Sequence, residues 1–201
     1  MEKDLTTEGR ILTAARSIFQ QKGLAGARMQ EIADEAGINK ALLHYYFRSK
    51  DKLFERILEE AIGKFLPELF GVWEGEGNIL EKIERFVHRY ISFVAENPYV
   101  PSLILHELTI NPEKAGMIRK MGFKPPKDKM MMEVMLGVQA GLIRPVHPMD
   151  LILNIISMCV FPVLARNMIQ GVMLIDDLTY QEMIETRKKS VADFVIQSLR
   201  P

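Results

Sequence analysis

The sequence predicts an all-α chain, with an N-terminal three-helix helix-turn-helix domain followed by a larger helical domain. Three observations predict it. Apolar residues recur at helical spacing in stretch after stretch, as in Ile11, Leu12, Ala15, Ile18 and Phe19, or in Ile83, Phe86, Val87, Tyr90, Ile91 and Val94. Residues that cap helix N-termini stand just ahead of several of those stripes. Residues 32–54, IADEAGINKALLHYYFRSKDKLF, split into two short amphipathic pieces at Ala36-Gly37-Ile38-Asn39, the mark of a tight corner between helices.

After a short charged lead-in, Thr6 or Thr7 caps the first helix, and Gly23 ends it. The second helix runs from Arg28 or Met29 to Ala36, with Met29, Ile32, Ala33 and Ala36 inward and Gln30 and Glu31 outward. At the corner Gly37 takes the left-handed conformation that closes a helix, and Asn39 offers a side-chain oxygen to the free N–H groups of the next one. On a wheel at about 100° per residue, Leu42, Leu43, Tyr46 and Phe47 share an inward arc. Lys40, Ala41, His44 and Tyr45 share the outward arc. A cation, a methyl, an imidazole and a phenol suit a DNA groove, where they can meet phosphates, guanine acceptors, a thymine methyl and base edges. Ser49 then caps a longer fourth helix, whose free N–H groups together with Lys50 are placed to clamp a backbone phosphate. Leu53, Phe54, Ile57, Leu58 and Ile62 form its apolar side.

Pro67 and the glycines of Gly71-Val72-Trp73-Glu74-Gly75-Glu76-Gly77 break the pattern, and Asn78 with Glu81 has the spacing of a capping box that opens the next helix. Its stripe leaves His88 on the opposite face, toward solvent. Asn97-Pro98 and Asn111-Pro112 each place a cap before a proline and mark two further helix starts. Gly122-Phe123-Lys124-Pro125-Pro126-Lys127 reads as a loop or helix break. A helix from Pro148 to about Gln170 is apolar on nearly all sides and is kinked at Pro162. Thr179 with Glu182 has a second capping-box spacing and opens the final helix, lined by Tyr180, Met183, Ile184, Val191, Phe194, Val195 and Leu199.

With 201 residues, 48% of them hydrophobic, the chain can bury a sizeable core in one large domain or two small ones. Lys plus Arg and Asp plus Glu both number 26, so any affinity for nucleic acid must come from local charge. Arg28, Lys40, Arg48, Lys50 and Lys52 supply it. The single cysteine, Cys159, lies in an apolar segment and reads as a buried structural thiol. The opening residues do not form a basic-then-apolar signal peptide, and the longest apolar run, residues 151–165, is too short and interrupted to span a bilayer. No membrane partner and a cytoplasmic location are therefore expected. His88, His106, His147 and Glu107 hold no ligand spacing, since only His106 and Glu107 are adjacent and neighbours on a helix diverge by about 100°. Neither a phosphate loop, nor a nucleophile elbow, nor a paired-cysteine motif occurs, so no enzyme, metal or cofactor is expected.

ILTAARSIFQQKG followed by IADEAGINKALLHYYFRSKDKLF resembles the DNA-binding domain of the tetracycline-repressor (TetR) family of bacterial regulators. The matching positions are Ile11, Leu12, Ala14, Ala15, Phe19, Gly23, Ile32, Ala33, Ala36, Gly37, Ile38, Leu43, Tyr46, Phe47, Lys50 and Leu53. The resemblance covers about the first quarter of the chain. It implies an all-helical, homodimeric regulator, with a DNA-binding domain over residues 1–55 and a ligand-binding and dimerisation domain over 56–201. The DNA contacts it implies are Arg28, Gln30, Asn39, Lys40, Ala41, His44, Tyr45, Tyr46 and Lys50. The family pattern is departed from in three places: Ala27 and Arg28 replace a Ser or Thr cap, Leu42 replaces a small or hydroxylated residue, and His44 replaces Tyr. A guanidinium can replace the phosphate contact of that cap but not the cap itself, and the two departures in the recognition helix, Leu42 and His44, read as changes in which bases are recognised.

The same resemblance places an apolar cavity among the central helices, and a run rich in methionine, whose thioether adapts to varied shapes, suits one. The lining set is Phe86, Tyr90, Phe93, His106, Met117, Met121, Phe123 and Met135, for an apolar small-molecule inducer. The last two long helices would pair with their symmetry mates through Leu151, Ile155, Met158, Met183, Ile184, Val191, Phe194 and Val195. The expected partners are thus a double-stranded DNA operator, an inducer and a second copy of the chain. The competing class is a helical small-molecule carrier or interaction module that keeps the fold without DNA, supported by the three departures and the neutral net charge.

Overall fold

The structure, a computed structural model, describes residues 6–110, 112 and 126–201, the side chains of 62, 64, 65, 103, 106, 107 and 110 excepted. Among the described residues every extended element is an α-helix. They fall into two compact units, one within Met1–Lys64 and Ser102–Gly122, the other within Phe65–Pro101 and Phe123–Pro201.

In the first unit, α1 (Thr7–Gly26) opens where Thr6 Oγ1 accepts the Gly9 N–H at 3.2 Å. Helical geometry stops at Gly23, whose φ of 67° suits glycine, and the chain passes through a short turn to α2 (Met29–Glu35). α3 (Lys40–Tyr46) and α4 (Lys50–Gly71) follow, the latter capped by Ser49 Oγ, which accepts the Lys52 N–H at 3.2 Å. Ile11, Phe19, Ile32, Leu43, Leu53 and Phe54 are fully buried, and the rings of Phe19 and Phe54 meet edge to face at 6.2 Å, seating α4 on α1. Arg16 on α1 reaches Glu60 on α4 at 2.8 Å. Pro67 does not break α4, which continues through it to Gly71. The carbonyl that its missing N–H leaves free belongs to Gly63, and both residues lie on the exposed side of the helix, where water can take that carbonyl.

The second unit is built on α5 (Ile79–Glu96), which α10 (Asp177–Ser198) and α8 (Pro148–Leu164) flank, with α7 (Lys127–Gln139) alongside. The capping box forms as expected, Asn78 Oδ1 taking the Leu80 and Glu81 N–H groups and Glu81 Oε2 taking the Asn78 N–H. A helix does start just after Asn97-Pro98, as expected, but the Asn97 side chain serves the helix before it. Asn97 is the C-cap of α5, its Nδ2 donating to the Phe93 carbonyl at 3.0 Å, and α6 (Tyr99–Ile110) starts beyond it. Asn111, and residues 122–125 of the expected loop, lie outside the described residues. α5 also buries one charge: Lys82 is 5% exposed and its Nζ lies 2.7 Å from Glu133 Oε1 on α7. His88, expected in solvent, is half-buried, with its Nε2 enclosed.

α8 begins with Pro148 and does not run through to Gln170. It breaks at Ala165, and α9 (Arg166–Met173) leaves at 68°. Pro162 has no N–H for the Met158 carbonyl, and the Arg187 Nη2 of α10 donates to that carbonyl at 2.9 Å. The break frees the Pro162 carbonyl in turn, and the Tyr180 hydroxyl donates to it at 3.0 Å. Arg166 then stacks on the Tyr180 ring at 4.9 Å and pairs with Asp177 at 3.0 Å. The last helix opens at Asp176, whose Oδ1 accepts the Thr179 N–H at 2.8 Å, and not at Thr179: a carboxylate three residues earlier is the better acceptor for an N-terminal N–H.

Candidate nucleic-acid interface

Backbone hydrogen bonds form the corner before any side chain can meet DNA. At the end of α2 the Ile38 N–H donates to the Ala33 carbonyl at 3.0 Å and the Gly37 N–H to the Asp34 carbonyl at 3.1 Å. Gly37 permits this closing turn at a φ of 66°. Asn39 Oδ1 then accepts the Leu42 N–H at 2.8 Å and starts α3. The head of α2 has no hydroxyl: Ala27 is buried, the Arg28 guanidinium caps nothing, and Glu31 Oε2 accepts the Arg28 backbone N–H at 3.3 Å instead. A hydrogen bond from Lys22, and the one from Arg28, hold the Glu31 carboxyl below its ordinary range.

α3 rests on one side chain. Leu43 is fully buried, while Lys40, Ala41, Leu42, His44, Tyr45 and Tyr46 are exposed. The wheel is thus corrected at Leu42 and Tyr46, which are 36% and 42% exposed. A helix of seven residues seated on a corner has no neighbour above it to cover a second row, and Phe47, just past its end, is the next side chain to turn inward. Tyr45 is 81% exposed, and its ring meets that of Tyr46 edge to face at 5.6 Å. His44 Nδ1 lies 3.4 Å from the Arg48 carbonyl.

The cations divide by what they touch. Arg28, Lys40 and Arg48 are exposed. Lys50 is engaged within the fold: its ammonium donates to the carbonyls of Ala25 and Ala27 at 3.2 and 3.1 Å, which ties the start of α4 to the turn after α1. It therefore serves first as a strut, a role that its sequence position at a helix N-terminus did not suggest. Lys52 pairs with Glu55 at 2.6 Å, and that hydrogen bond raises its pKa. The Gln30 amide donates to Asp34 Oδ1 at 2.8 Å along α2.

The core of the second unit holds an aromatic row. Trp73 and Phe86 lie 5.7 Å apart, and Phe86 stacks on Tyr90 at 5.8 Å, with Phe93 half-buried a turn further on. Burial pushes the Tyr90 phenol up to about 12, with a contribution from Cys159, and burial pushes the Cys159 thiol up to about 12 as well. Trp73 is 2% exposed, and its Nε1 has no hydrogen-bond partner among the described residues. Met135 does not join this row. It is 55% exposed on α7, where Met130 and Val134 face inward instead. Met117, Met121, Phe123 and the side chain of His106 lie outside the described residues.

Residues 11–57 match the model of the bacterial regulatory proteins of the tetR family, and residues 80–195 match that of the tetracyclin repressor-like C-terminal domain. The chain belongs to the TetR family. Among curated proteins it is similar to the HTH-type transcriptional regulator RutR of Escherichia coli (strain K12), 25% identical over 194 residues that cover 95% of this chain and 89% of that one. It is also similar to the HTH-type transcriptional repressor NicS of Pseudomonas putida, 39% identical over 59 residues, 29% of this chain and 28% of that one. Among solved structures, the regulator FadR of Bacillus subtilis in complex with stearoyl-CoA shares the fold at a TM-score of 0.66 and 17% identity, covering 95% of this chain and 98% of that one. A Clostridium perfringens regulator described as a putative fatty acid metabolism regulator does so at 0.68 and 15%, covering 96% and 99%.

Most of the residues expected to meet a second copy are packed within this chain. Leu151, Ile155, Ile184, Val191 and Val195 are buried in its own core, and Met158 and Met183 are half-buried. Phe194 alone of that set is exposed, at 65%. The apolar groups left in the open are others: Met149, Leu153 and Phe161 at four- and eight-residue intervals on α8, Met168 on α9 and Leu178 on α10. Helical spacing identifies apolar positions, but a helix between two neighbours has two apolar sides, and only packing tells which one the protomer covers. No single helix among the described residues is long and apolar enough to cross a membrane.

Proposed function

We propose that the protein is a homodimeric, ligand-responsive transcriptional repressor that binds a roughly palindromic operator in double-stranded DNA through the exposed face of α3 in each subunit. The observation that carries this reading is the seating of α3: a corner closed by Gly37 and Asn39 holds Lys40, Ala41, His44, Tyr45 and Tyr46 in the open on one buried leucine. Such a helix fits a major groove, and Arg28 and Arg48 nearby suit phosphates. DNA binding is assigned to residues 1–55 and ligand binding and dimerisation to 56–201, with the cytoplasm as the place of action because a bacterial operator is there. One short helix makes few base contacts, so two copies at fixed separation are needed. The open apolar residues of α8, α9 and α10 support their pairing.

The aromatic row of Trp73, Phe86 and Tyr90 supports a mostly apolar inducer with one hydrogen-bond acceptor, since the buried Trp73 Nε1 has a proton to donate and no partner among the described residues. A fold neighbour was solved with stearoyl-CoA, whose acyl chain, though not its coenzyme A part, is apolar. An inducer releases DNA if it prefers, by several kcal/mol, the dimer whose α3 helices are wrongly spaced. Fluorescence anisotropy on duplexes from the gene's own upstream region tests the reading. Binding should weaken steeply with added salt, because phosphate contacts release counterions. Lys40→Ala, His44→Ala and Tyr45→Ala together should abolish it; unchanged binding by that variant removes α3 from the interface. A protein that binds no duplex at any salt concentration is the helical carrier instead.

A further inference from the structure

We infer that α3 reads its operator mainly through thymine methyl groups, with Leu42 and Tyr45 as the side chains that select them; this rests on the DNA-binding reading above. The seven positions of α3, Lys-Ala-Leu-Leu-His-Tyr-Tyr, contain no Arg, Asn, Gln, Asp or Glu. Those are the side chains that recognise guanine or adenine through paired hydrogen bonds, or accept from cytosine. Asn39, next to the helix, already turns its Oδ1 to the Leu42 N–H. Hydrogen-bonding readout from α3 is left to one ammonium, one imidazole and two phenols.

The rest of the exposed face is apolar. Ala41 and Leu42 stand four and three residues before Tyr45, so the Tyr45 side chain adjoins both, and Tyr45 backs onto the Tyr46 ring at 5.6 Å. Leu42 is 36% exposed at a site where a hydroxyl or a small side chain would be better solvated. The major groove offers one apolar feature to such a surface, the C5-methyl of thymine. Covering a Leu and a phenol ring with methyl groups recovers apolar area from water on both molecules. The half-site that α3 faces is accordingly rich in A·T pairs, with Lys40 the one α3 side chain suited to a guanine.

The test begins with binding sites selected by the full-length protein from a pool of random duplexes. Each thymine of the selected half-site is then replaced singly by deoxyuridine, which removes the C5-methyl and leaves every hydrogen-bonding group in place. Affinity is expected to fall about fourfold at each contacted thymine, the effect of one methyl-sized group. Leu42→Ala should weaken binding to the thymine duplex and erase the deoxyuridine penalty at one of those positions, with unchanged thermal unfolding. Equal affinity for thymine and deoxyuridine duplexes, with specific binding intact, overturns the inference and leaves the DNA-binding reading standing. Selection of no sequence at all overturns that reading itself.

Discussion

The corner between α2 and α3 and the bend between α8 and α9 are both abrupt changes of direction, and they are held in opposite ways. At the corner the hydrogen bonds are local: Ile38 to Ala33, Gly37 to Asp34, Leu42 to Asn39. At the bend they come from far along the chain: Arg187 reaches the Met158 carbonyl and Tyr180 the Pro162 carbonyl. A local corner keeps its geometry whatever the second unit does, which suits a part that must present one fixed surface. A bend whose free carbonyls are satisfied by another helix is coupled to that helix, and the two can only shift together.

If the corner depends on one tertiary anchor, Leu43→Ala should be the most damaging change in it. Removing the fully buried side chain is expected to cost about 2–5 kcal/mol and to abolish DNA binding. Hydrogen exchange should show protection lost in α2 and α3 and retained in α5 and α10; loss of both together would break the contrast between the units. The core of the second unit carries a sensitivity to alkali that comes from buried groups. Tyr90 and Cys159 have folded pKa values raised by burial, so the stability they contribute is complete below their ordinary values of 10.0 and 9.0 and is lost as pH rises toward about 12. The loss is on the order of 3 kcal/mol for Tyr90 and 4 kcal/mol for Cys159. Circular-dichroism melts across that range should show the decline, and Tyr90→Phe with Cys159→Ala should flatten it.

Smaller effects separate the two kinds of turn. Tyr180→Phe keeps the ring under Arg166 but leaves the Pro162 carbonyl without its donor, a loss of about 1–2 kcal/mol in urea unfolding. If the variant were as stable as the parent, the bend would not depend on the Tyr180 hydroxyl. Gly37→Ala should cost least, about 1 kcal/mol, because a Cβ there meets nothing within 4 Å and only the left-handed backbone opposes it. A cost several times larger would mean that the corner has tertiary contacts beyond those described.

Legibility in the sequence followed the reach of the interaction. Gly37, Asn39, Ser49 and the Asn78 and Glu81 box act on backbone groups within a few residues, and each stands where its sequence position implies. Asn97 and Thr179 differ from their expected capping roles because a cap can serve the helix before it or be displaced by a better acceptor nearby, here Asp176. Lys50 looked like a phosphate clamp because the Ala25 and Ala27 carbonyls that hold it are more than twenty residues away. Leu42 and Tyr46 have the spacing of core residues, and whether anything covers them depends on where three other helices stop.

The sequence alone therefore determined the all-helical class, where the corner falls and which residues α3 carries, since periodicity, left-handed glycine and capping oxygens act within one or two turns. Only the tertiary structure decided which face of α3 is open, that Lys50 serves the fold, how α10 satisfies the break in α8, and that Leu151, Ile155, Ile184, Val191 and Val195 belong to the protomer's own core. Burial is a property of pairs of surfaces, and one stretch of chain does not contain its partner.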